Sequence, residues 1–239
     1  MSARYKDSVY ILCDVECVPV GTCFVVSPKK LVSAYHNVSW TQTFDANWII
    51  VKSLERSSES KLISRERINV RVYAHKMSMD WVVLERTDEL NFESIIPLHT
   101  DADVLPALEG SKVSACHCPV ALFNVKNGLS ILGMLTVDSR IGFFSSHKVV
   151  IQVPLFAGSS GGLFALENGK ALGMHLEGIN TAKLVATIRE EREAAEKAGQ
   201  FFSKDDDLTI ASDLNTESLG SVSEGLVFAL NLDLVAACL

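Results

Sequence analysis

Gly158-Ser159-Ser160-Gly161-Gly162, followed shortly by Gly173-Met174-His175, gathers small residues around two adjacent serines. Glycine reaches backbone conformations that other residues avoid, so N–H groups beside a serine can converge on one point instead of entering a sheet ladder. A hydroxyl with two such donors beside it can serve acyl transfer. The same composition also makes ordinary loops, so its partners elsewhere in the chain decide the reading.

Working outward, the turn leads into apolar runs at Gly162 to Ala165 and Ala171 to His175. It is preceded by others at Lys112 to Ala115, Val120 to Val125, Ile131 to Val137 and Lys148 to Val153. A second set lies upstream: Val9 to Cys13, Val20 to Val26, Leu31 to Ala34, Trp48 to Val51, Val70 to Tyr73 and Trp81 to Leu84. Many short strands with turn signals between them predict an all-β sandwich or barrel architecture. A polar connection from Thr100 to Gly110, with a break near residue 105, divides them into two similar sets. No internal sequence repeat is evident.

One segment departs from this pattern. Thr181 to Phe202 carries Leu184, Ile188, Ala195, Ala198 and Phe202 at helical spacing, with Asn180 as its cap and Gly199 near its end. A Ser/Thr/Gly-rich loop then runs to Ser223, and Leu226 to Leu230 returns to strand.

The chain has 239 residues, 48% of them hydrophobic, enough for one large all-β unit or two small domains sharing a core. No apolar run approaches the roughly 20 residues that span a bilayer, and the segment from Met1 to Asp7 lacks a signal-peptide core. The expectation is a soluble, cytoplasmic chain without membrane contact. A formal charge of −7, with no basic cluster interleaved with aromatics, argues against nucleic acid as a partner. Of the six cysteines, Cys116 and Cys118 are too close to pair well, and without an export signal all six read as free thiols. Cys116-His117-Cys118 lacks a second ligand pair at zinc spacing, so no metal or cofactor is predicted.

A serine needs a base to take its proton, and a carboxylate usually orients that base. His36 ends Leu31-Val32-Ser33-Ala34-Tyr35-His36, directly after a strand, where its side chain can reach a cleft. Asp80 opens Asp80-Trp81-Val82-Val83-Leu84, at the mouth of a strand expected to be buried on both faces. An unpartnered carboxylate there is costly, and His36 is its candidate partner. Singly, His36 could cap a strand and Asp80 could begin one from a turn.

With Gly21-Thr22-Cys23-Phe24-Val25-Val26 leading to the histidine, these motifs in the order His, Asp, Ser resemble the chymotrypsin-like (trypsin-like) serine peptidase superfamily. The resemblance covers nearly all of the chain except Thr181 to Ser223. It implies two six-stranded antiparallel β-barrels: residues 1–104, carrying His36 and Asp80, and residues 105–239, carrying Ser160, with a helix and loop insertion at 181–223. It further implies Ser160 as nucleophile, His36 as general base and acid, Asp80 as the residue orienting His36, and the N–H groups of Gly158 and Ser160 as an oxyanion hole. The partner would be a protein or peptide substrate.

The departures are informative. Ser159 stands where secreted members carry the aspartate that pairs with a new N-terminus after cleavage, and Asn37 replaces the cysteine that commonly follows the histidine. Both favour an intracellular, bacterial-type or viral-type member needing no propeptide. Pro154 occupies the place of the aspartate that selects Lys or Arg. Gly169-Lys170-Ala171-Leu172-Gly173-Met174-His175 resembles the pocket strand of glutamyl endopeptidases and picornavirus-type cysteine proteases, where the histidine contacts Glu or Gln. Leu155, however, stands where those families carry threonine, so His175 reads either as a Glu/Gln selector or as a pocket wall. Leu176, Glu177 and Gly178 should offer a free strand edge for substrate backbone, and the helix at 181–202 either forms a lid or partner surface beside the cleft or covers a barrel face. Two readings stay open: an endopeptidase acting through an acyl-enzyme, and a catalytically silent binding or scaffold module on the same fold.

Overall fold

Two closed six-stranded barrels account for nearly all of the regular structure in a computed structural model. It describes residues 5, 7–39, 47–56, 62–64, 66–99, 108–124, 131–144, 148–153, 155–178, 190, 193–199 and 226–231. The first barrel is built from β1 (Val9–Cys13), β2 (Pro19–Val25), β3 (Lys30–Ala34), β4 (Trp48–Val51), β7 (Ile68–Lys76) and β8 (Trp81–Arg86). Its order is β1-β2-β3-β8-β7-β4, antiparallel throughout. The second uses β9 (Lys112–His117), β11 (Leu135–Phe144), β12 (Lys148–Gln152), β13 (Leu163–Leu166), β14 (Ala171–Gly178) and β15 (Leu226–Asn231). These close in the order β11-β12-β15-β14-β13-β9. The two-barrel, all-β expectation therefore holds.

Several strands are apolar without a break because both of their faces are covered. Side chains alternate sides along a strand. In β8, Val82 and Leu84 point into the first barrel's core, while Trp81 and Val83 join a second cluster with Cys116, Leu163, Ala165 and Met174 from the other barrel. That shared cluster cements the barrels together. In β1, Tyr10 and Leu12 face inward, whereas Ile11 and Cys13 lie against Phe123 and Leu132.

The expected strand from Val120 to Val125 is instead a short helix, α1 (Val120–Asn124). Pro119 fixes the chain just before its first turn, and Val120 and Phe123, three residues apart, bury one helical face against Cys118 and Leu132. The expected single strand from Ile131 to Val137 divides at Gly133. Its first part, β10 (Ile131–Leu132), pairs with β5 (Leu54–Arg56), which in turn pairs with β6 (Leu62–Ile63) in a small separate sheet. Only the remainder enters the barrel as β11.

Of the expected helix at 181–202, residues 190 and 193–197 are helical, and the chain leaves that conformation at Gly199 with φ +67°. The rest of that segment, most of the loop to Ser223 and the break near residue 105 lie outside the described residues. Among the described residues, Cys13, Cys17, Cys23, Cys116 and Cys118 are buried free thiols. Burial pushes the thiols of Cys13, Cys23 and Cys118 up, which keeps them protonated and unreactive. Among the described residues, no helix is long and apolar enough to cross a membrane.

Candidate active site

His36 sits in a single 3-10 turn, Tyr35–Asn37, at the end of β3, and Asp80 immediately precedes β8. The β3–β8 ladder pairs Ala34 with Trp81, which brings the ends of the two strands together. Asp80 closes another 3-10 turn, Met77–Met79, in the left-handed conformation with φ 54°, a region that aspartate tolerates better than most residues. Its backbone carbonyl accepts from the Tyr35 N–H at 3.0 Å. Its carboxylate accepts from the His36 N–H through Oδ1 at 2.8 Å and meets His36 Nδ1 through Oδ2 at 2.7 Å. An ionised carboxylate only accepts, so Nδ1 carries the ring proton and Nε2 is left as an acceptor. Stacking of Tyr35 on His75, with centroids 5.1 Å apart, steadies the turn from its other side.

Ser160 lies on the turn between Phe156 and Gly162. Gly158 and Gly161 have φ of +93° and +82°, and these two left-handed positions fold the chain back on itself. The N–H groups of Ser159, Gly161 and Gly162 donate to the carbonyls of Phe156, His175 and Ser159 at 3.0, 2.8 and 2.8 Å. Among the described residues, the N–H groups of Gly158 and Ser160 donate to nothing. Ser160 Oγ donates to the Leu176 carbonyl at 3.4 Å, longer than the usual O–H···O, and no hydrogen bond joins it to His36 among the described residues.

The turn is fastened to the first barrel as well as to its own. Ser160 O accepts from the Thr22 N–H at 2.8 Å and from Asn37 Nδ2 at 3.0 Å, and Gly158 O accepts from Thr22 Oγ1 at 3.0 Å. Asn37 directly follows His36, so one residue ties the base to the serine's own carbonyl. A Cβ at Gly161 would lie 2.0 Å from the Thr22 carbonyl oxygen, on a backbone that L side chains avoid. Gly161→Ala is expected to cost about 3 kcal/mol or more of stability through strain and overpacking; a urea unfolding shift below about 1 kcal/mol would contradict this close approach.

The two-barrel architecture is also found in solved structures. The MamO protease domain from Magnetospirillum magneticum, in its apo form, superposes with a TM-score of 0.58 at 10% identity, covering 100% of this chain and 99% of that one. The inactive form of the Rv3671c protease aligns with a TM-score of 0.55 at 17% identity, covering 98% of this chain and 88% of that one. The serine endoprotease from Yersinia pestis aligns with a TM-score of 0.58 at 12% identity, over 98% of this chain and 62% of that one. No protein-family profile and no curated protein sequence matches the chain. This is the chymotrypsin-like serine protease fold. At such low identity the likeness is one of fold.

Within this protease fold, Leu155 is buried in the second barrel's core. His175 is 5% exposed, sits edge-on to Phe164 at 6.4 Å, and exchanges backbone hydrogen bonds with Gly161 and Gly162. Leu176 is buried beneath Ser160. Glu177 and Gly178 pair with Phe228 and Val227 of β15 after a bulge, while β13 stops opposite Met174. Among the described residues, no strand covers the other side of Leu176–Gly178.

Sequence reasoning missed His117. Ser159 is fully buried, and its Oγ meets His117 Nδ1 at 2.7 Å while accepting from the Phe156 N–H at 3.2 Å. A signal was present in the strand period: Val113, Ala115 and His117 share one face of β9, and the first two belong to the barrel core, where a histidine must find a polar partner. Burial lowers its pKa to about 4, so the ring stays neutral when folded. The unfolded chain therefore binds the extra proton between about pH 6.5 and 4, and stability conferred above that window is lost as pH falls through it. The loss is about 3 kcal/mol, measurable as the pH-dependent difference in urea unfolding between the native chain and His117→Asn. A difference that stays flat with pH would contradict it.

Proposed function

We propose that this chain is a serine endopeptidase that cleaves peptide bonds through an acyl-enzyme on Ser160. The observation that carries this reading is the pair of N–H groups, on Gly158 and Ser160, that flank a serine hydroxyl and donate to nothing. Donors left open in this way suit the charge that develops on a carbonyl oxygen in the transition state. His36 is the general base, its Nε2 accepting the hydroxyl proton and passing it to the leaving amine. Asp80 fixes the tautomer through Oδ2 and stabilises the imidazolium. Rotation of Ser160 about χ1 moves its hydroxyl from the long Leu176 bond toward His36. Substrate backbone pairs with the uncovered side of Leu176–Gly178. We further assign the two barrels to residues 1–104 and 105–239, and to His175 a place in the substrate pocket, as a Glu or Gln selector or as its wall.

A fluorophosphonate probe tests the reading. Covalent labelling of Ser160, abolished by Ser160→Ala, is the expected result. Complete absence of labelling favours the second reading, a silent binding module, which the Ser160–Leu176 bond supports. A peptide-library digest tests the side-chain preference: Glu or Gln before the cut supports His175 as selector, whereas Lys, Arg or bulky apolar residues there overturn it.

A further inference from the structure

We infer that His117 is a positioning residue for the nucleophile turn: by accepting the Ser159 hydroxyl proton, it holds the N–H groups of Gly158 and Ser160 in the geometry that receives the oxyanion. The inference rests on the peptidase reading and adds to it a residue outside the His36, Asp80 and Ser160 set.

His117 meets the turn at three places. At the upstream end, the Phe156 ring stacks on the imidazole with centroids 6.4 Å apart and planes at 28°. In the middle, Nδ1 lies 2.7 Å from Ser159 Oγ. At the downstream end, a Cβ on Gly162 would fall 2.9 Å from the Cβ of His117, so the backbone rests directly on this residue. Thr22 and Asn37 grip carbonyls of the turn from the first barrel, but His117 meets the side chain between its two open donors.

The direction of the proton follows from the remaining partners. The Phe156 N–H already donates to Ser159 Oγ, and that oxygen has one hydrogen of its own to place. In the neutral ring it goes to Nδ1, which puts the imidazole proton on Nε2. That nitrogen is buried and has no hydrogen-bond partner among the described residues. A buried N–H without an acceptor is unfavourable, so an apolar side chain would serve packing alone better than histidine does. What histidine adds at this position is an acceptor at Nδ1. The peptide plane joining Ser159 to Ser160 carries the Ser160 N–H, so holding Ser159 fixes that donor directly, and the Gly158 N–H, two peptide planes upstream, is held through the same tight turn.

The test compares four variants of the full chain by fluorophosphonate labelling rate, by kcat and KM on a peptide substrate, and by imidazole nitrogen–proton correlation spectra. Thermal unfolding checks that each is folded. His117→Leu removes the acceptor and is expected to slow labelling and lower kcat about a hundredfold with KM nearly unchanged, since the loss falls on the transition state. His117→Asn, whose Oδ1 can take the place of Nδ1, is expected to stay within about threefold of the native chain. Ser159→Ala should match His117→Leu, and the double variant should lose little more than either. The native spectrum should show the proton on Nε2. Native-rate labelling by folded His117→Leu, an equal loss in His117→Asn, or a proton on Nδ1 each overturns the inference. Should His117→Leu unfold, Ser159→Ala, which removes a single oxygen, decides the kinetic arm. A native chain that is never labelled defeats the peptidase reading instead, and the tautomer seen in the spectrum still decides the clamp.

Discussion

Ser160→Ala is expected to abolish fluorophosphonate labelling and to lower peptide turnover by about four to six powers of ten. The neighbouring serine cannot substitute for it. Ser159 Oγ is fully buried between His117 and the Phe156 N–H, whereas Ser160 is partly exposed. Ser159→Ala should therefore slow labelling without preventing it. The fold should tolerate Ser160→Ala, because the bonds that anchor residue 160 to Thr22 and Asn37 run through its carbonyl. Residual activity would come from the open N–H groups and from binding alone. Labelling that survives Ser160→Ala would overturn the assignment of the nucleophile.

Asp80→Asn is expected to cost about four powers of ten in kcat with little effect on stability. The reason is a matter of which amide atom faces the ring. Oδ1 of residue 80 accepts from the His36 backbone N–H at 2.8 Å, a position only an oxygen can fill. The amide nitrogen of asparagine is then left opposite His36 Nδ1, where Asp80 Oδ2 now lies at 2.7 Å. An NH2 group there donates to Nδ1, drives the ring proton to Nε2 and removes the acceptor that Ser160 needs. Asparagine also tolerates the left-handed backbone at φ 54°, so the change acts on the tautomer while leaving the turn intact. Measuring kcat beside the imidazole nitrogen–proton spectrum checks both halves: an Asp80→Asn protein with native kcat would remove Asp80 from the mechanism.

Most of the fold was legible because β-strands covered on both faces read as unbroken apolar runs. Val9–Cys13 and Trp48–Val51 begin and end where the hydrophobic sequence does. Val120–Asn124 misled because five apolar-rich residues carry no period long enough to separate strand from helix. The pairs Leu54–Arg56 and Leu62–Ile63 were missed because their regularity comes from pairing within the extra sheet rather than from their own composition. At the site, His36 and Asp80 stood out in sequence because each interrupts the pattern at a strand end. Asn37, Thr22 and His117 did not, because their roles are contacts across more than 40 residues of chain. His117 was also masked by its cysteine neighbours, which directed attention to zinc.

The attachment of the Ser160 turn has a mechanical consequence. Its carbonyls at 158 and 160 are held by Thr22 and Asn37, although the turn is threaded from the second barrel. His117 and the His175 backbone hold the same turn from the second barrel, so any rocking of one barrel against the other would load both sets of bonds at once. The turn thus acts as a rivet between the halves, and the register of the serine depends on the two barrels staying locked as one body.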